Sequence, residues 1–233
     1  MALSRMDELK KAAAEKAVER VQTNTIVGLG TGSTAAFAVS AIAHRMETEG
    51  LSIVGVPTSE RTYDQAKSLG IPLATLEDHP QLDLAIDGAD EIELGSLNLI
   101  KGAGGALLRE KLVEVSAKEL IIVADQTKKV NQLGEIFALP VEIVRFGWKS
   151  TFSRVEAIGG KPKLRLTDSG DPFITDEQHY IIDCAFGPMA DPVATADALK
   201  GTAGVVEHGL FINMASMAIV ATDDGIEVLE KTR

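Results

Sequence analysis

Between Leu82 and Lys111 the chain reads LDLAIDGADEIELGSLNLIKGAGGALLREK, and here residue types and spacing could do chemistry. Asp87, Asp90 and Glu91 follow directly on the apolar run Leu82 to Ile86, which has the character of a buried parallel strand. Carboxylates crowded at a strand end are costly unless they are used or paired. Lys101 then precedes Gly102, Gly104 and Gly105, and Ala106 to Val115 has the composition of a helix with Glu110 near its start. A fixed positive charge, a mobile backbone and a carboxylate near a helix start suit an anionic or carbonyl substrate. Asp-Gly is also a common turn dipeptide, and the macrodipole alone favours an early glutamate. The density of acids argues for use, because a turn needs one Asp-Gly and gains nothing from two further carboxylates.

A second constellation lies upstream, where the strand Thr25 to Leu29 runs into Gly30-Thr31-Gly32-Ser33-Thr34 and a helix over Ala35 to Glu49. A strand, a glycine-rich turn and a helix start together offer backbone N–H groups and hydroxyls to a phosphate. A nucleotide P-loop would need Gly-Lys-Ser/Thr, and no lysine occurs between Gly28 and Ala43. A dinucleotide fingerprint would need an acid at the end of the second strand, yet Leu51 to Val56 ends in Pro57-Thr58-Ser59. A sugar-phosphate loop remains, with a purely structural tight turn as its alternative.

These segments need a scaffold. A helix is expected over Ser4 to Val21 and another over Tyr63 to Leu69, with strands at Ile71 to Leu76 and Glu119 to Ala124. Four apolar strands then end in Thr31/Ser33/Thr34, Thr58/Ser59, Asp87/Asp90 and Asp125/Lys128, clusters that an open parallel sheet could bring to one crevice. Beyond Leu133 the pattern becomes strand Pro140 to Arg145, helix Lys149 to Ile158, strands Lys163 to Leu166 and Ile174 to Phe186, helix Ala194 to Leu199 and strand Val205 to Phe211. This β-α-β-β-α-β order is ferredoxin-like. The hairpin over Met217 to Leu229 is expected back on the first sheet. The fold class is therefore α/β: a Rossmann-like open, mostly parallel sheet with helices on both faces, and a smaller inserted α+β domain. The expected division is 1–132 plus 212–233 for the larger domain and 133–211 for the smaller.

With 233 residues and a net charge of −11, the chain can bury a substantial core and has no general affinity for nucleic acid or acidic membranes. Anions must be drawn in by a local site. No segment has the length of a membrane span, and the charged N-terminus lacks a signal-peptide core, so a cytoplasmic protein is expected. Cys184, the single cysteine, reads as a core residue. His44, His79, His179 and His208 lie at no metal-ligand spacing, and no structural metal is expected.

The motifs Gly28-Leu29-Gly30-Thr31-Gly32-Ser33-Thr34, Asp87-Gly88-Ala89-Asp90-Glu91 and Lys101-Gly102-Ala103-Gly104-Gly105-Ala106 with Arg109-Glu110-Lys111 resemble, in order and spacing, ribose-5-phosphate isomerase type A. The likeness includes Asp125 with Lys128 and runs over nearly the whole chain. Ala103 stands where the family form has glycine. The resemblance implies interconversion of D-ribose 5-phosphate and D-ribulose 5-phosphate through an enediol, without cofactor or metal. It implies Glu110 as the base, with Asp87, Asp90 and Lys101 on the sugar oxygens. Thr31, Gly32, Ser33, Thr34, Gly88, Ala89, Gly102, Ala103, Gly104 and Lys128 would bind substrate. A homodimer or homotetramer is implied likewise. Two other readings are a sugar-phosphate sensor and a nicotinamide-dependent dehydrogenase. Residues 1–24 are too few to supply a DNA-reading helix-turn-helix for the first, and the ribose-holding acid is missing for the second.

Overall fold

The computed structural model describes residues 3–231. Helix α1 (Arg5–Val18) is capped by Ser4, whose hydroxyl accepts from the Asp7 N–H. It is followed by β1 (Thr25–Leu29), α2 (Ser33–Glu49), β2 (Ile53–Pro57), α3 (Glu60–Ser68) and β3 (Leu84–Asp87). Two short strands, β4 (Glu91–Glu93) and β5 (Leu99–Ile100), lead to α4 (Leu107–Val115), β6 (Leu120–Asp125) and β7 (Lys129–Val130). Next come β8 (Leu139–Ile143), α5 (Trp148–Ala157), β9 (Lys161–Leu164), β10 (Tyr180–Ala185), α6 (Pro192–Lys200) and β11 (Val205–His208). The last strands are β12 (Leu210–Phe211), β13 (Met217–Thr222) and β14 (Gly225–Leu229).

The largest sheet has six strands in the order β14-β13-β6-β3-β1-β2, all parallel except the edge strand β14. Its inner strands β1, β3, β6 and β13 are nearly continuous apolar runs because both faces are covered, whereas the edge strand β14 is mostly exposed and carries Glu227. In β6, Ile121 and Val123 pack with α1 and α2, while Leu120, Ile122 and Ala124 join a cluster on the opposite face. α4 and a small sheet ordered β12-β5-β4-β7 cover that opposite face. The hairpin β13–β14 returns beside β6, where the sequence pattern puts it. The second half of the chain forms a four-stranded antiparallel sheet, β11-β8-β10-β9, the strand order of a ferredoxin-like unit.

Three expectations change. Ile71 to Leu76 is not a strand: Pro72 has no N–H to donate, and only the bridge between Gly55 and Leu73 forms. Of Ile174 to Phe186 only Tyr180–Ala185 is extended, because Thr175 to Gln178 is a turn with Gln178 at φ 64°. Val205 to Phe211 breaks at Gly209, where the chain passes from the antiparallel sheet to the small one. Glycine is required at the break, because a Cβ on Gly209 would lie 2.2 Å from the Lys101 carbonyl oxygen.

The crossing after β3 is held by Glu91. This fully buried carboxylate accepts backbone N–H bonds from Gly134, Ile136 and Phe137, each at 2.6 Å, and so fixes the loop that puts Phe137 on the cavity wall described below. Glu91→Ala strands three donors at about 1–3 kcal/mol each. Its unfolding free energy in urea should fall by at least about 3 kcal/mol. A loss under about 1 kcal/mol would mean that the loop is held by other means.

Candidate active site

The sheet order reverses between β1 and β3, since β2 lies to one side of β1 and β3 to the other. At such a switch point the loops beyond the carboxyl ends diverge and leave a crevice. Both sequence motifs leave their strands there, Gly30 to Thr34 after β1 and Asp87 to Asp90 after β3. The crevice is a cavity of about 450 Å³ whose wall includes Thr31, Gly32, Ser33, Thr34, Gly88, Ala89, Asp90, Lys101, Gly102, Ala103, Gly104, Glu110 and Lys128. Every candidate residue except Asp87 is on that wall.

Asp87 lies just beneath it, 1% exposed. Its Oδ1 accepts N–H bonds from Thr31 at 3.0 Å and Gly88 at 2.6 Å, tying the two strand-end loops together. Gly30 permits the approach, for a Cβ there would fall 2.3 Å from the Asp87 carboxyl carbon. Gly32, at φ 127°, then turns the chain into α2, whose first N–H groups have no intrahelical acceptor. The hydroxyls after β2 do not reach the cavity as the strand-end pattern suggested. Thr58 and Ser59 each lie 2.7 Å from the Thr31 hydroxyl, and Thr62 donates to the Gly30 carbonyl, so this cluster holds the glycine-rich loop after β1 from below.

Lys101 is the centre of the site. Only 2% exposed, its Nζ donates to the Gly88 carbonyl at 2.6 Å and lies 3.1 Å from Asp87 Oδ2, 3.2 Å from Glu114 Oε1 and 3.8 Å from Glu110 Oε2. Burial alone would discharge it, but the combined fields of Asp87, Glu110 and Glu114 outweigh that effect and hold its pKa above that of an ordinary lysine. The carboxyls feel the reverse. Glu110 is pushed up to about 8, chiefly by burial and further by Asp87 and Asp90, with Lys101 and Arg61 opposing. Burial likewise raises Asp90, whose Oδ2 accepts the Ala103 N–H at 2.8 Å.

The Arg-Glu-Lys triplet in α4 splits in three directions, as successive helical positions 100° apart must. Glu110 faces the cavity; Arg109 pairs with Glu60 and Glu177; Lys111 reaches Glu207 and the carbonyls of His208 and Leu210. The glycine loop is clamped from the antiparallel sheet by Arg165, which pairs with Asp183 and donates to the carbonyls of Gly102 at 2.8 Å and Ala103 at 3.2 Å.

Sequence reasoning missed four features. Lys10 of α1 and Arg61 of α3 are on the wall and add positive charge where an anion would enter. Each occupies a polar helix face that otherwise reads as solvated. Phe137 arrives from a loop with no motif. Glu114 could have been found, since it stands four residues after Glu110 and so on the same helix face.

The family model described as ribose 5-phosphate isomerase A (phosphoriboisomerase A) matches residues 54–225. The chain is 69% identical over 226 residues to ribose-5-phosphate isomerase A of a Synechococcus species, covering 97% of this chain and 98% of that protein. It is 54% identical to the Gloeobacter violaceus protein of the same name, over 96% of each. Its fold is similar to solved ribose 5-phosphate isomerases: one from Methanocaldococcus jannaschii has a TM-score of 0.93 at 37% identity, covering 97% of this chain and 99% of that one. Another, solved with phospho-erythronic acid, has a TM-score of 0.94 at 35% identity, covering 98% and 100%.

The raised Glu110 carboxyl has a consequence for stability. In the unfolded chain it titrates near an ordinary 4.5, whereas folded it keeps its proton to about 8. Between those values the folded form binds more protons, so ionisation of Glu110 erodes stability as pH rises through that window. Glu110→Gln removes the titration. Its unfolding free energy relative to the unsubstituted protein should climb between about pH 5 and pH 8, by up to about 1.4 kcal/mol per pH unit. A difference in urea stability that stays flat across this range would contradict the assignment.

Proposed function

The chain belongs to the ribose 5-phosphate isomerase A family, and on that premise we propose that it interconverts D-ribose 5-phosphate and D-ribulose 5-phosphate, with Glu110 as the base. The observation that carries this reading is the Glu110 carboxyl on the cavity wall, buried to 2% exposure, with an ammonium 3.8 Å away and no other obligation.

In the open-chain aldose, the Glu110 carboxylate takes the proton from C2. The C–H electron pair becomes the C1=C2 bond, and the carbonyl π electrons move to O1. Lys101 and the backbone N–H groups of the glycine loop are placed to meet that growing charge, each well-aimed donor contributing about 3–4 kcal/mol. Glu110 then returns the proton to C1 while the O2 hydroxyl proton passes to O1, giving the ketose through an enediol. Asp90, which unlike Asp87 is on the wall, is proposed to move hydroxyl protons and assist ring opening. Asp87, with Oδ1 occupied by two backbone donors, is proposed to hold the loops in register. The phosphate is read against Ser33 and Thr34 at the start of α2, with Lys10, Arg61 and Lys128 as the cations on the same cavity wall. Fixing that remote end orients C1 and C2 over the base.

The reading keeps a larger unit, 1–132 plus 212–233, and a smaller one, 133–211, the latter steadying the glycine loop through Arg165. Among the described residues no helix is long and apolar enough to cross a membrane. The reading extends to a cytoplasmic homodimer or homotetramer with a pentose 5-phosphate as its small-molecule substrate.

A coupled assay for ribulose 5-phosphate formation, run on chelator-treated protein, should show full turnover. Glu110→Gln should cut kcat by about 10²–10⁴-fold while ribose 5-phosphate still binds. In the unsubstituted protein kcat/KM should fall as pH drops below about 8, where Glu110 takes up its proton. Near-normal turnover by the glutamine variant would remove Glu110 as the base. Binding without turnover in the unsubstituted protein would favour a sensor.

A further inference from the structure

The proposed mechanism gives no task to Glu114, yet this residue is built into the site as firmly as Glu110. It follows Glu110 by one helical turn, its side chain is fully buried, and its Oε1 lies 3.2 Å from the Lys101 ammonium. It sits behind Lys101, off the cavity wall. Neither of its carboxylate oxygens receives a hydrogen bond, and Asp87 Oδ2 beside it receives none either. As two ionised carboxylates they would compete with Glu110 and the Gly88 carbonyl for the three N–H groups of one ammonium, and Glu114 Oε2 would have no donor at all. One proton between Glu114 and Asp87, which lie within hydrogen-bonding reach, resolves both.

Resting on the reading of Glu110 as the isomerase base, we propose that Glu114 is a positioning residue. It acts as a neutral carboxylic acid that donates to Asp87 and holds the Lys101 ammonium from behind, so that Lys101 faces Glu110 and the substrate oxygens. The groups facing it are Asp87 from the end of β3, Lys101 after β5, and Glu110 and Lys111 of its own helix. Burial and the neighbouring acids drive Glu114 toward the protonated form, with Lys101 opposing. Neutrality matters for the neighbour. An ionised Glu114 would compete with Glu110 for the field of Lys101, whereas a protonated one keeps the lysine in place and leaves its charge to the base. The arrangement parallels a carboxylic acid kept neutral in an apolar site so that it can donate.

Two substitutions separate the roles. Glu114→Gln keeps the shape and a donor without a charge, so kcat should stay within about 3-fold and the acid limb of kcat/KM should not move. Glu114→Leu removes the donor, so kcat should fall at least about 10-fold with KM for ribose 5-phosphate within about 2-fold. Its acid limb should shift to higher pH as Lys101 moves away from Glu110. Infrared spectra at about pH 9, where Glu110 has lost its proton, should carry the carbonyl stretch of a buried protonated carboxyl that is absent from Glu114→Gln and still present in Glu110→Gln. This last readout decides the matter even if the leucine variant does not fold. A limb that moves to lower pH in Glu114→Gln, a leucine variant with unchanged kcat, or no difference in the carbonyl band would each overturn the proposal. Loss of activity in the unsubstituted protein would instead count against the isomerase reading.

Discussion

One buried ammonium among three buried acids is the constraint on which the rest of the molecule depends. A lysine at 2% exposure is tolerable only with strong compensation, and Lys101 has it from Asp87, Glu110, Glu114 and the Gly88 carbonyl. Those partners come from three segments: the end of β3, the loop after it, and two turns of α4. The backbone of Lys101 is fixed as well, its N–H donating to the Gly209 carbonyl at 2.9 Å. A buried ion cluster of this kind adds little net stability over an apolar core, but it penalises any arrangement in which one member is displaced. It therefore sets the geometry of β3, β5 and α4 relative to one another, which is the geometry the proposed reaction needs.

Around that cluster the fold applies a general device. The strand-order reversal at β1 and β3 opens a crevice, Gly30 allows backbone and the Asp87 carboxylate to meet closely there, and the hydroxyls after β2 fasten the loop from beneath. The antiparallel unit adds Arg165, which is held by Asp183 and grips the carbonyls of the glycine loop. With those carbonyls bound on the far side, the loop has a defined orientation while retaining the backbone that glycine allows. A chain with net charge −11 also gathers Lys10, Arg61, Lys101 and Lys128 around one cavity, the local reversal that an anionic ligand requires.

Legibility in the sequence follows from segment length and chemistry. The long apolar strands Thr25–Leu29 and Leu120–Asp125 could be read because two covered faces force continuous hydrophobic runs. Asp90, Lys101 and Glu110 could be read because charged residues bordering apolar segments are costly and therefore conspicuous. The small sheet could not, since strands of two or three residues leave no period to detect. Ile71 to Leu76 misled because its composition suits a strand while Pro72 removes a donor the ladder would need. Thr58 and Ser59 were legible as polar strand ends, but whether such hydroxyls face a ligand or a neighbouring loop depends on tertiary contacts. Lys10 and Arg61 were hidden because a cation on an amphipathic helix has the same pattern whether it meets water or a cavity.

The value near 8 for Glu110 bears on how a carboxylate could abstract a proton from carbon at all. An ordinary glutamate is fully ionised at neutral pH but is a weak base, far less basic than the enolate formed when a C–H next to a carbonyl loses its proton. Raising its pKa by burial reduces the ionised fraction in the free protein at pH 7, yet strengthens the base that remains. Rate increases with basicity by a fractional power, so the best compromise places the pKa near the working pH, where ionised fraction and strength are balanced. Lys101 limits the rise from one side and Asp87 and Asp90 promote it from the other. On the proposed mechanism the same ammonium that keeps Glu110 ionisable would also meet the enediolate oxygen, so one side chain would serve both the base before proton removal and the anion after it.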